Sequence, residues 1–141
     1  MYFDDLSPYQ YGRAAPDPTI VNVGWLSRDH DYQTGKTAPE LLGAMRALIA
    51  APVNLFRGAH LCEFCPAPPV VTTPKGLRLI EPPPGTSGNG EIRVVGSGGR
   101  TYVAPVMVLH YIDAHAYRPP QAFIEAVLQL ARAEATPSGE R

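Results

Sequence analysis

An α+β fold, a small antiparallel sheet packed by about three helices, is what this 141-residue chain predicts. Three observations carry that expectation. Apolar residues recur at helical spacing near 38–51, 105–115 and 120–133. Short β-branched runs lie between them, and one pair of runs flanks a Gly-rich tetrad, the pattern of a hairpin over 91–104. Sixteen prolines and thirteen glycines keep the elements short and the loops long. Such a chain has a thin core for its length, the situation in which a bound metal or a cross-link adds stability.

Taken in order, residues 1–19 form an aromatic and proline-bearing arm, with Tyr2, Tyr9 and Tyr11 expected to pack on the core. Ile20 to Leu26 reads as a strand, and the polar loop after it places His30 between Asp29 and Asp31 as a solvated side chain. Thr37-Ala38-Pro39-Glu40 matches a capping box, and Leu41, Leu42, Met45, Leu48 and Ile49 form the buried stripe of the helix it opens. Pro52 stops that helix, and the apolar run Val53 to Phe56 leads to the segment HLCEFCP. Pro66 to Pro84 reads as a surface excursion with one brief extended segment, and GTSGNG as a turn-rich connector. Glu91–Val95 and Thr101–Ala104 are the hairpin strands around Gly96-Ser97-Gly98-Gly99. Pro105 is expected as the first residue of the next helix, and Pro119-Pro120 separate it from a last helix with Phe123, Ile124, Val127, Leu128, Leu130 and Ala131 inward. The organisation expected is a single domain over 1–133 with a proline-rich insertion near 66–84, then a flexible tail over 134–141.

Composition narrows the function classes. Twelve basic against thirteen acidic side chains give a net charge of −1, with no basic face for nucleic acid and no polybasic membrane patch. No apolar run is long enough for a membrane span. The start, MYFDDLSPYQYG, has acids where a signal peptide needs cations and an apolar core, so a cytoplasmic location is expected, where thiols stay reduced.

Both cysteines sit in one Cys-x-x-Cys, Cys62 and Cys65, and His110 and His115 have four residues between them. A zinc ion takes four such ligands in a tetrahedron, and a tight knuckle aims both thiolates of a Cys-x-x-Cys inward. The expected metal site is therefore Cys62, Cys65, His110 and His115 in a knuckle–hairpin–helix order, with His60 as alternative ligand or neighbour of the ligands. One geometric objection stands: residues five apart on a straight helix are about 140° apart around its axis. The two histidines then converge only if the helix end distorts near His115. A thioredoxin-like redox role needs a helix after the second cysteine, and a c-type haem needs histidine there; Pro66 opposes both.

Three function classes remain. The first is a non-catalytic, zinc-stabilised protein-interaction or accessory domain with a protein partner. The second is a metal-dependent hydrolase-like enzyme with an open coordination position and Glu63 or Glu91 as general base. The third is a metal-free structural or immunity-like binding protein, whose cysteines act as small apolar side chains.

The segments MYFDDLSPYQYG, NVGWLSRDH, RGAHLCEFCP, GNGEIRV and YVAPVMVLHYIDAHAYRPPQAFIEAV together resemble an uncharacterised bacterial domain family, one of the domains of unknown function. The resemblance runs from Met1 to about Leu128. It implies a single-domain bacterial protein in which the His60/Cys62/Cys65 and His110/His115 segments are family features, and it implies no activity. In similar proteins the knuckle runs almost directly into GNGEIRV, so that Ala67 to Pro84 looks inserted here.

Overall fold

The computed structural model describes residues 2–9, 17–53, 60–66, 70–80 and 87–135. Within them the chain is α+β. Three helices, α1 (Pro39–Ile49), α2 (Val108–His115) and α3 (Gln121–Ala135), pack on a four-stranded sheet. The strands of that sheet are β1 (Pro8–Tyr9), β2 (Asp17–Asn22), β7 (Glu91–Val95) and β8 (Thr101–Pro105), in the order β1-β2-β8-β7. Two two-stranded ribbons stand apart: β3 (His60–Leu61) with β6 (Ser87–Gly88), and β4 (Val70–Thr72) with β5 (Arg78–Ile80). The expected Tyr11, the run 54–56, residues 81–86 and the tail beyond Ala135 lie outside the described residues.

The β7–β8 hairpin forms where glycine and β-branched spacing place it, paired from Glu91↔Pro105 to Val95↔Thr101. Its tip is a short 3-10 turn in which Gly98 and Gly99 have φ of 74° and 78°, values that strain any residue with a Cβ. The sheet is mixed, not purely antiparallel, because β2 pairs with β8 in parallel, Ile20 opposite Thr101. Parallel partners need a long crossover, and the chain between β2 and β8 contains α1, the ribbons and β7. Strand β2 ends at Asn22, two residues before Gly24, whose φ is +78°.

Two expected helix starts shift, each for a local reason. Helix α1 begins at Pro39 with Ala38 as N-cap and no side-chain cap, so Thr37 forms no capping box. Proline at the first helical position fixes the boundary, since its missing N–H is an orphan there in any case. Pro105 belongs to β8, and α2 begins only at Val108. Opposite Pro105, Glu91 spends its N–H and C=O on Val53 (both 2.8 Å), so the ladder asks no donor of the proline. The proline-rich stretch also holds an antiparallel pair, Val70↔Ile80 to Thr72↔Arg78, where one extended segment was expected.

The helices bury Leu41, Met45, Val108, Tyr111, Phe123 and Val127 against Ile92, Val94 and Tyr102 of the sheet. Each such side chain contributes about 1.5–3 kcal/mol by leaving water. The opposite face is covered by a smaller cluster of Tyr9, Trp25 and Val103 with Phe3 and Ile20 against it. The N-terminal arm is therefore structural. Asn22, 1% exposed, ties it down by donating from Nδ2 to Ser7 O, Ser7 Oγ and Pro8 O. His30 is exposed, and its ring stacks on Tyr2 at 3.7 Å between centroids.

Candidate metal centre

The cysteine segment leaves the β3–β6 ribbon directly after Leu61. A Cβ on Gly88 would come within 3.3 Å of both Val106 and Met107, so the ribbon lies against the entry to α2. Cys62 is buried and the chain bends through Glu63-Phe64-Cys65 before Pro66. Phe64 packs edge-on to Tyr32 (5.3 Å) and Tyr111 (5.9 Å) and lies 5.3 Å from the His115 ring. Glu63 fastens the other side of the bend: its Oε1 accepts the Arg28 N–H at 3.0 Å and the Ser27 hydroxyl at 3.3 Å.

Helix α2 supplies both histidines. It stays helical through His115 and ends at Ala116, whose φ of 56° is left-handed. The Ala116 N–H closes back on Tyr111 O across six residues, and the Tyr117 N–H reaches the same oxygen at 3.1 Å, a left-handed helix stop of the kind usually built on glycine. The distortion expected near His115 therefore falls one residue after it. Convergence comes from side-chain length instead: each imidazole presents Nε2, the ring nitrogen farther from the backbone, and the two Nε2 atoms are 3.2 Å apart. The rings stand at 80° to one another. The loop after β2 clamps this helix end, with the Tyr32 hydroxyl donating to His115 O at 2.9 Å and the Gly35 N–H to Ala116 O at 3.0 Å.

Ligand atoms of Cys62, Cys65, His110 and His115 all lie within 4.8 Å of one another, and the group could hold a metal ion. Among the described residues it is the one cluster of three or more His, Cys, Asp or Glu that converges in this way. The individual distances are more telling. Cys62 Sγ to His115 Nε2 is 3.4 Å, Cys65 Sγ to His110 Nε2 is 3.2 Å, and Cys65 Sγ to His115 Nε2 is 3.5 Å. A tetrahedron with metal–sulfur bonds of about 2.3 Å and metal–nitrogen bonds of about 2.0–2.1 Å has S···N edges of about 3.6 Å and N···N edges of about 3.3 Å. Every one of the four separations falls within about 0.4 Å of the corresponding edge.

The electrostatics match a neutral-imidazole, thiol-rich pocket. Burial pushes the Cys62 thiol up, while hydrogen bonds from the Phe64 and Cys65 backbone N–H groups pull it the other way. Those amides are the donors a tight Cys-x-x-Cys turn aims at its first sulfur. Burial, and next the charge of His115, lowers His110, which keeps its ring neutral and its lone pair available. A cation at the centre would reverse the thiol preference, since metal ligation stabilises the thiolate.

The chain therefore brings together Cys62, Cys65, His110 and His115, distant in sequence, at one point. The His60 side chain lies outside the described residues. Glu91 is only 2% exposed, and its carboxylate takes the Tyr9 hydroxyl at 2.8 and 3.0 Å, with Arg93 at 3.8 Å. Sequence reasoning missed Tyr32 and Phe64, which hold the helix end and the cysteine bend in place. The one available signal was an aromatic directly between the two cysteines.

The fold and this four-residue group define a small α+β domain with a candidate Cys2His2 metal site. The chain belongs to the family described as a domain of unknown function, DUF7919, whose model matches residues 1–128. No curated protein and no solved structure matches the chain.

Proposed function

We propose that this is a zinc-stabilised, non-catalytic domain that acts as a protein-interaction or accessory module, with Cys62, Cys65, His110 and His115 as the zinc ligands. The observation that carries the reading is the set of four donor separations close to tetrahedral edges. Two thiolates and two imidazoles suit zinc, and four protein ligands complete its usual structural coordination. The cysteines and histidines come from segments with no helix or sheet in common, so an ion there links the β3–β6 ribbon to α2. Its binding energy adds to folding because the unfolded chain has no such site. Thiols kept for a metal suit a reducing, cytoplasm-like compartment, which is part of this proposal. Among the described residues no helix is long and apolar enough to cross a membrane. The near-neutral net charge favours a protein partner over nucleic acid or a membrane surface.

The hydrolase reading draws less support. It needs an open coordination position and a free general base, yet Glu63 is bonded to the Arg28 amide and Glu91 is buried against Tyr9. Elemental analysis of protein purified without a histidine tag tests the proposal. One zinc per chain, lost on treatment with a strong chelator together with thermal stability, is the expected result. Protein that contains no metal and melts identically with chelator present overturns it.

A further inference from the structure

The two sulfurs of the metal centre are not equivalent. Cys62 is buried, and its Sγ receives the Phe64 and Cys65 backbone N–H groups. Cys65 is half-buried, with His110 Nε2 at 3.2 Å and His115 Nε2 at 3.5 Å from its Sγ. Among the described residues no backbone N–H is directed at that sulfur. A sulfur held by a metal stays a thiolate at neutral pH, and N–H donors draw electron density from a thiolate. Cys65 is therefore the more nucleophilic of the pair as well as the more accessible. The bend that carries both is fastened without the ion. Glu63 Oε1 takes the Arg28 N–H and the Ser27 hydroxyl, Phe64 packs on Tyr32 and Tyr111, and Leu61 pairs with Ser87.

We infer that Cys65 and Cys62 form a peroxide-sensitive pair whose oxidation to a disulfide releases the ion and unties the cysteine bend from α2, a reversible regulation of the metal centre. This regulation presupposes the zinc ligation proposed above. The Cys65 thiolate attacks one oxygen of hydrogen peroxide; an S–O bond forms, the O–O bond breaks, and hydroxide leaves to become water. The Cys62 thiolate then attacks the Cys65 sulfur, the S–O bond breaks, and a second hydroxide leaves as the S–S bond forms. Two thiolates thus give two electrons to one peroxide, solvent supplies two protons, and two waters result. A disulfide sulfur is neutral and offers the ion no charge, and two imidazoles alone do not complete a four-ligand site. Pro66 denies the pair the helix that activates a thiol–disulfide exchange catalyst, so the pair responds once per reduction and does not turn over. Glu63 and Phe64 keep both sulfurs beside the histidines, so reduction restores the site without refolding.

Treatment of the zinc-loaded full chain with a small excess of hydrogen peroxide tests the inference, with the ion followed by a chromogenic chelator and the thiols by mass spectrometry. Release of the bound zinc is expected, with a chain lighter than the reduced one by two hydrogens and a Cys62–Cys65 bond in its peptide map. Dimedone present during the reaction should mark Cys65 and not Cys62, as the trapped sulfenic acid. The oxidised chain should still melt cooperatively, and dithiothreitol with zinc should return all of the bound ion. Zinc retained in peroxide, dimedone on Cys62 first, sulfinic acid in place of the disulfide, or a chain that does not reload overturns the inference and leaves the zinc reading standing. A chain that carries no zinc before peroxide is added overturns both.

Discussion

Replacing Cys62 by serine is the perturbation that bears most directly on the metal centre. The change removes the buried sulfur 3.4 Å from His115 Nε2 and leaves the volume of the site nearly as it was. A hydroxyl at neutral pH does not ionise to ligate zinc as a thiolate does, so the tetrahedron loses a corner. The size of the effect follows from mass action. With free zinc at a thousand times the dissociation constant, the bound ion adds about 4 kcal/mol to stability. For a chain of this length, 1 kcal/mol corresponds to roughly 3–4 °C in Tm, so the variant should melt about 12–16 °C lower. Calorimetry of four samples separates the metal from the mutation: each protein, with zinc and with chelator. The chelated wild type and chelated Cys62→Ser should agree within about 1 kcal/mol, since a thiol-to-hydroxyl change in this half-satisfied pocket costs little by itself. Zinc should raise only the wild type. A variant that keeps stoichiometric zinc and its full zinc-induced rise in Tm refutes the reasoning, as does a wild type whose Tm ignores zinc.

Four further outcomes are expected. Acid should release the metal, because two thiols must be deprotonated for it to bind and burial already raises Cys62; affinity should fall by up to about 100-fold per pH unit below the thiol range, read by competition with a chromogenic chelator. The lowered His110 acts in the same sense for the metal-free fold. Its folded-state value lies below the unfolded one, so its share of stability is present above about pH 6.5 and is lost as pH falls through the depressed value, which urea melts at stepped pH can follow. Tyr32→Phe keeps the ring against Phe64 but removes the bond to His115 O, at a cost of about 0.5–1.5 kcal/mol by urea denaturation and with weaker zinc retention in a chelator challenge. Gly24→Ala should be the most damaging small substitution at about 2 kcal/mol or more, since φ is +78° and the new Cβ would sit 2.8 Å from Val108 Cγ2; a melt equal to wild type would contradict the backbone reading.

The amino-acid order alone is enough for features whose cause is local. Three helical stripes, the glycine-tipped hairpin and the α+β class follow from period and turn chemistry, which act within a few residues. The candidate ligands are legible for the same reason: Cys-x-x-Cys and a histidine pair name a chemistry through residue type and spacing. Where neighbours in sequence compete, local reading falters. Thr37 loses the cap to Ala38 because Pro39 sets the first turn, and Pro105 stays in a strand because Val53, fifty-two residues earlier, takes the hydrogen bonds of its partner Glu91.

Tertiary structure alone decided the rest. The parallel pairing of β2 with β8 joins segments about eighty residues apart, and no local pattern encodes which strand lies beside which. The meeting of the cysteine bend with His110 and His115 has the same character. On the helix axis those histidines diverge; the reach of their side chains lets the two Nε2 atoms meet, and Tyr32 and Phe64 hold the helix end and the cysteine bend beside each other. Residue types carry the chemistry because it belongs to side chains; the distance between side chains belongs to packing, which is a property of the whole chain.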